Sequence, residues 1–245
     1  MTTQDFQTNS LVAATSNKRW TFGVISTDIN FTGSFTENTS LNLVINSILR
    51  LNISADDFEI IIVGANNQQK DFEFQNIKFI HFDENIKSKW ITKKKNIIIQ
   101  NAKYENVIIT HDYVTYDQNW YIGFQDFDTN WDVCMCKILN KDGTRWRDWI
   151  LWWCGIAPYK IYHNDTLLAP NRLFYDDYRF VNTEMYINGT VIIGKREYLL
   201  ANQLDENLIW GQGEDCEWSA RCRPTWNYKM NINSQLKLLK QHDNT

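Results

Sequence analysis

Three stretches of the chain gather side chains that can do chemistry. In the first, the apolar run Val107-Ile108-Ile109-Thr110 stops at His111-Asp112-Tyr113. A turn needs only Gly, Asn or Asp, so an imidazole, a carboxylate and a phenol in a row fit a ligand site. Asp112 and His111 could hold a divalent cation, because Mn²⁺ accepts nitrogen as well as oxygen. The plainer reading is an Asp that merely ends a strand. The second stretch is Trp210-Gly211-Gln212-Gly213-Glu214-Asp215-Cys216-Glu217-Trp218. A helix beginning at Glu214 favours acidic residues in its first turn by about 0.3–1 kcal/mol, and Glu217 with Arg221 makes an ordinary i,i+4 pair. That explains Glu217 better than Asp215. Asp215 shares a helix face with the inward-looking Trp218 and Cys222, and the two glycines allow close approach of a ligand. An ionised carboxylate facing a pocket can take a proton from an attacking hydroxyl. The third stretch is Lys93-Lys94-Lys95-Asn96, a basic step on a helix.

These groups need elements to position them. Trp20–Ser26 (WTFGVIS) reads as a strand ending at Thr27-Asp28. Leu41, Val44, Ile45, Ile48 and Leu49 recur at helical spacing, with Thr39 or Ser40 as N-cap. A second strand, Phe58–Val63, ends at Gly64-Ala65-Asn66, and a third covers Ile77–Phe82. Helical spacing returns from Trp90 to Ala102, before the strand that stops at His111. Short apolar strands alternating with helices predict an α/β fold with a mostly parallel sheet covered on both faces. Ligands bind beyond the carboxyl ends of such strands. The three polar strand ends should therefore lie along one rim. Further on come a turn and strand (Tyr186–Gly194), a helix near Lys195–Ala201, the helix at Glu214, and a short basic stretch, SQLKLLKQH, read as a surface helix. That last helix could touch an anionic membrane surface weakly.

Composition bounds the partners. A chain of 245 residues that is 43% hydrophobic can bury a full core. A net charge of −4 gives no footprint for nucleic acid. No apolar run is long enough to span a membrane, and the polar N-terminus lacks a signal core, so the expected setting is cytoplasmic. Five cysteines at irregular spacing agree with free thiols in a reducing compartment. The chain divides into a loose leader (1–18), a first lobe (19–114) and a second lobe (115–245).

The order of these pieces resembles the GT-A fold glycosyltransferases, in particular glycosyltransferase family 2. Ser26-Thr27-Asp28 matches that family's first strand-end turn, and Gly64-Ala65-Asn66 its nucleotide-contacting turn. KKKNIIIQNAKYENVIITHDYV is similar to the family's helix and following strand, with Lys95-Asn96, Ala102 and Glu105 in register. His111-Asp112-Tyr113 stands where the family carries Asp-x-Asp. YINGTVIIGKREYL, with Gly189, looks like the acceptor-side strand, and GQGEDCEWSARCR like the Glu-Asp motif with a trailing Arg. The resemblance implies a Rossmann-like nucleotide-binding lobe joined to an acceptor lobe in a single domain. It implies a transferase using a nucleotide diphosphate sugar, with UDP expected, and a hydroxyl acceptor on a glycan, a lipid-linked sugar or a protein. Asp215 would be the base of an inverting reaction. Thr27, Asp28, Gly64, Asn66, Lys95, Asn96, His111, Tyr113, Gly189, Trp210, Glu214 and Arg221 would contact substrates, with Mn²⁺ or Mg²⁺ at Asp112 and His111. One departure matters: the motif here has one carboxylate where the family has two. Without a metal, Lys93 to Lys95 or Arg221 and Arg223 would carry more of the phosphate charge.

Tryptophans crowd between Trp120 and Trp153. Trp146, Trp149, Trp152 or Trp153 could stack on a sugar, or fill a core as large aromatics commonly do. Two other functions fit parts of the chain. A glycan-binding module would use the tryptophans alone but leaves the Glu-Asp helix start unexplained. A sugar-1-phosphate nucleotidyltransferase needs a basic Gly-rich loop, which STDINFTGSF does not supply.

Overall fold

A computed structural model describes residues 18–27, 39–65, 76–146, 150–151, 162–163, 166–167 and 185–241. The first apolar run forms β1 (Trp20–Ile25), buried at every position. In α1 (Ser40–Leu49) the Thr39 side chain caps the first turn by accepting the Asn42 N–H at 3.2 Å. Leu41, Val44, Ile45 and Ile48 form its buried face, as their spacing predicts. Then come β2 (Phe58–Gly64), β3 (Ile77–His81), α2 (Ile91–Asn101), β4 (Asn106–His111) and β5 (Val114–Tyr116). The second half holds α3 (Trp120–Gln125), β6 (Val133–Leu139), β7 (Ile150–Leu151), β8 (Tyr162–His163), β9 (Thr166–Leu167) and β10 (Met185–Tyr186). It ends with β11 (Val191–Lys195), α4 (Arg196–Ala201), α5 (Glu214–Cys222) and β12 (Tyr228–Leu238).

Eight strands form one sheet in the order β3-β2-β1-β4-β11-β6-β12-β5. The first four are parallel. β11 runs antiparallel to both β4 and β6, while β12 is parallel to β6 and antiparallel to β5. The sheet is thus continuous across the two expected lobes. Strands buried on both faces read as unbroken apolar runs, which is why β1, β2 and β4 were visible in the sequence. One face packs Trp20 and Phe22 against Trp120 of α3, with Trp20 and Phe124 rings 4.8 Å apart. The other face carries α2, whose Ile98 lies over Gly23. Each such side chain contributes about 1.5–3 kcal/mol by leaving water.

The C-terminal stretch is a strand and not the expected surface helix. Ser234, Leu236 and Leu238 are buried while Lys237 is exposed, a period of two that suits a pleated strand. The pairing with β6 shifts register between Asn231 and Gln235 and then resumes through Leu236 and Lys237. The membrane-surface contact rested on that helix and loses its basis.

One further arrangement positions the site. Helix α2 clamps the loop that leads into α5. Asn96 donates to the Leu204 carbonyl at 2.9 Å and accepts the Leu204 N–H at 3.0 Å. Thr92 donates to the Leu208 carbonyl, Trp90 to that of Glu206, and Lys93 pairs with the Glu206 carboxylate. Asn96 is therefore occupied in fixing this loop.

Candidate active site at the rim of the sheet

Parallel pairing brings the ends of β1, β2 and β4 to one edge, with Ile25 opposite both Val63 and His111. The polar strand ends meet there as their sequence positions require. Asp112 ties two of them together. Its N–H donates to the Ile25 carbonyl at 3.2 Å, and its Oδ2 accepts from Ser26 Oγ at 2.7 Å and from the Thr27 N–H at 3.4 Å. Gly64 closes β2 at the same rim, where its carbonyl accepts the Phe82 N–H. Thr27 is exposed beside it. Asp28 and Asn66 lie outside the described residues.

The turn between β10 and β11 crosses this rim and supplies Gly189. Its carbonyl accepts from Lys95 Nζ at 2.6 Å, and its N–H donates to Asp215 Oδ2 at 2.9 Å. A Cβ at residue 189 would lie 3.1 Å from Glu214 Oε1, 3.2 Å from Asp215 Cβ and 3.3 Å from Lys95 Nζ. Glycine lets α2, α5 and this turn converge with none of these groups displaced. Lys95 is fully buried, and burial lowers its pKa while the Glu214 and Asp215 carboxylates work the other way. Burial raises the Glu214 pKa, against the pull of Lys95. The imidazole of His111 meets the Gly189 backbone. Desolvation, followed by the charges of Lys95, Lys240 and Lys94, holds its pKa well below the usual histidine range. The ring is therefore neutral at physiological pH. Tyr113 tilts against it, centroids 5.2 Å apart, and its hydroxyl is hydrogen-bonded to the Thr190 side chain.

Helix α5 presents the acidic pair. Gly213 caps it in the left-handed conformation, φ 72°, and Gly211 has φ 87°. Nothing lies within 4 Å of a Cβ built at Gly211. Backbone conformation, and not crowding, accounts for this glycine. Of the acidic pair, Glu214 is the buried member, i and i+4 from Trp218, and Asp215 remains half-exposed. Asp215 Oδ1 accepts the Cys216 N–H at 2.9 Å. Each carboxylate oxygen thus accepts a backbone N–H and keeps a further lone pair for an incoming proton.

Other expected contacts are differently employed. Arg221 binds Glu217 at 2.7 Å and the Gln203 carbonyl at 2.8 Å, the helix pair that i,i+4 spacing predicts. Trp210 is exposed, with the Lys89 ammonium over its ring. Trp146 is buried, whereas Trp149, Trp152 and Trp153 lie outside the described residues. Sequence reasoning missed the Ser26 partner of Asp112, together with Thr190 and Lys240. Ser26 sits in the matched turn and was legible there.

The fit of Mn²⁺ or Mg²⁺ can be judged from the donors. A divalent cation of this kind takes several oxygen ligands, carboxylates first. Here the Asp112 Oδ2 is directed at Ser26 and Thr27, Tyr113 occupies the second carboxylate position, and the charges acting on His111 are three lysines. Among the described residues no group of three potential ligands could hold a metal ion. Among the described residues the expected pair Asp112 and His111 therefore finds no third ligand to complete such a site. A charged cleft of about 530 Å³, lined by Lys103, Glu105, Asp132, Lys195 and Arg196 among others, lies at the opposite end of β4 and belongs to no part of this chemistry.

The mixed, mostly parallel sheet with helices on its faces is a GT-A-like fold. Solved structures with this fold include TarS of S. aureus, at 15% identity and a TM-score of 0.59 over 90% of this chain and 36% of that one. TarS 1–349 in complex with UDP-GlcNAc matches at 15% identity and 0.59 over 92% of this chain and 59% of that one. GalNAc-T7 with UDP, GalNAc and Mn²⁺ matches at 12% identity and 0.61 over 92% of this chain and 44% of that one. The chain thus spans less than two thirds of the length of each, and the likeness is one of fold. No family model and no curated protein matches the chain. Among the described residues no helix is long and apolar enough to cross a membrane.

Proposed function

We propose that this chain transfers a sugar from a nucleotide diphosphate donor, UDP-linked, to a hydroxyl on a glycan, a lipid-linked sugar or a protein. The observation that carries this reading is the Asp215 carboxylate, fixed by the Gly189 N–H at the rim where β1, β2 and β4 end. Structures of the same fold have UDP-GlcNAc, or UDP with GalNAc, as ligands, which supports a UDP-sugar here.

In the reaction, Asp215 takes the proton of the acceptor hydroxyl as its oxygen attacks the anomeric carbon. A new carbon–oxygen bond forms on one face while the bond to the β-phosphate oxygen breaks on the other. The electron pair leaves with UDP, and the configuration inverts. General base assistance of this kind typically contributes about 10²–10⁴-fold. Ser26, Thr27 and Gly64 border the donor side, Tyr113 and His111 the phosphate side, and Trp210 the acceptor side. The four described cysteines, Cys134, Cys136, Cys216 and Cys222, are free thiols, which supports a cytoplasmic setting.

A thermal-shift series tests the nucleotide. UDP should raise the melting temperature more than AMP or ATP, because a ligand at a hundred times its Kd adds about 2.7 kcal/mol. No response to any nucleoside diphosphate removes the basis of this reading. Release of UDP from a panel of UDP-sugars then separates a transferase from a glycan-binding module, which would leave the whole panel intact.

A further inference from the structure

The donor's diphosphate carries negative charge that must be met at the rim, and the described residues do not build a divalent-cation site. Most nearby cations are already engaged. Lys93 is paired with Glu206, Lys94 with Glu84 and the Ser26 carbonyl, Lys95 with the Gly189 carbonyl, and Arg221 with Glu217. Lys240 differs. It follows β12, is exposed, and holds its ammonium 3.8 Å from the centre of the Tyr113 ring. Among the described residues no carboxylate pairs with it. Tyr113 is itself fixed, against His111 on one side and by Thr190 at its hydroxyl. An aromatic face attracts an ammonium and restrains the flexible lysine stem. The effect is to set one positive charge on the residue that occupies the second carboxylate position of Asp-x-Asp.

We propose that the Lys240 ammonium, resting on Tyr113, supplies the positive charge that faces the donor's diphosphate, so that nucleotide diphosphate binding here needs no divalent cation. The inference rests on the nucleotide-sugar reading given above and adds to it the group that recognises the phosphates. Tyr113 thereby does at this position what a carboxylate could not do without a metal. It anchors a cation through its ring and adds no negative charge against the phosphate.

The test is calorimetric binding of UDP and of uridine to the full chain, in EDTA and in Mn²⁺, for the parent, Lys240→Gln and Lys240→Arg. The parent should bind UDP with the same affinity, within about twofold, in both media. Lys240→Gln should weaken UDP by about tenfold, the scale of one hydrogen bond to a charged group, and leave uridine unchanged. Lys240→Arg should stay close to the parent because the charge is kept. Loss of UDP binding in EDTA overturns the proposal. So does a Lys240→Gln protein that binds UDP as tightly as the parent, or one that loses UDP and uridine affinity equally. If the parent binds neither UDP nor uridine in either medium, the underlying nucleotide reading falls as well.

Discussion

Gly189 holds Asp215 and Lys95 from opposite ends of one residue, its N–H on the carboxylate and its carbonyl on the ammonium. This couples the acidic helix α5 to the core helix α2 through a single turn. Two opposite charges are thereby kept apart and each is hydrogen-bonded. A side chain at that position would press on both helices.

Gly189→Ala tests the coupling. The added methyl meets Glu214, Asp215 and Lys95 at 3.1–3.3 Å, so these groups must give by a few tenths of an ångström. A misplacement approaching 1 Å at a reacting group costs about 10²-fold in rate, so turnover should fall by roughly tenfold or more. The melting temperature should change little by comparison. Sugar transfer and a thermal melt on the same preparation check it, and an unchanged rate removes Gly189 from the machinery.

Asp215→Asn keeps the shape of the side chain and removes the proton acceptor. Turnover on folded, donor-saturated protein should fall by about two to four orders of magnitude while UDP affinity persists. If the acidic residues serve only the helix start, both Asp215→Asn and Glu214→Gln cost a little stability and leave turnover per folded molecule nearly unchanged. A rate within about threefold of the parent for Asp215→Asn sinks the base assignment.

The nucleotide-side half of the fold was legible because strands buried on both faces leave unbroken apolar runs, and because α1 and α2 keep helical spacing. The C-terminal strand was not. In QLKLLK, three leucines fit a short helix as well as a strand, and only the parallel pairing of Leu236 with Ile138 of β6 decides it. The site divides in the same way. Asp215, Gly189 and Lys95 stand in stretches whose order resembles a known family, so they could be named in advance. Lys240 could not, since nothing local links residue 240 to residue 113. Only the antiparallel pairing of Leu238 with Val114 brings them together. The inward orientation of Asp112 was equally hidden, because Ser26 is 86 residues away.

That orientation changes what an Asp112 substitution should do. Asp112→Ala leaves the part-buried Ser26 hydroxyl without this acceptor, which costs about 1–3 kcal/mol, while the exposed Thr27 N–H can turn to water. Ser26→Ala should cost less alone, and the double variant should show a coupling of about 0.5–3 kcal/mol with Asp112→Ala. Denaturant unfolding of the four proteins measures it. Purely additive losses would mean that Asp112 does not act through Ser26.

The last prediction concerns pH. Burial raises the Glu214 pKa above the 4.5 of an exposed glutamate, with Lys95 opposing and Asp215 reinforcing the shift. Between those two values the folded chain binds a proton at Glu214 that the unfolded chain has already released, so this group's contribution to stability falls as pH rises. The contribution is complete below about pH 4.5 and is lost as pH passes the raised value. Glu214→Gln removes the titration and with it that part of the slope. Denaturation midpoints of parent and variant, followed upward from pH 4.5, should therefore shift in favour of the variant. The Lys95 ammonium would then face Asp215 alone among the two carboxylates that now oppose its burial. Lys95 attracts Glu214 only where Glu214 is ionised, so the loss of that attraction is part of the same pH-dependent difference and grows as Glu214 ionises. Parallel curves for the two proteins would show that Glu214 does not titrate above the ordinary glutamate value.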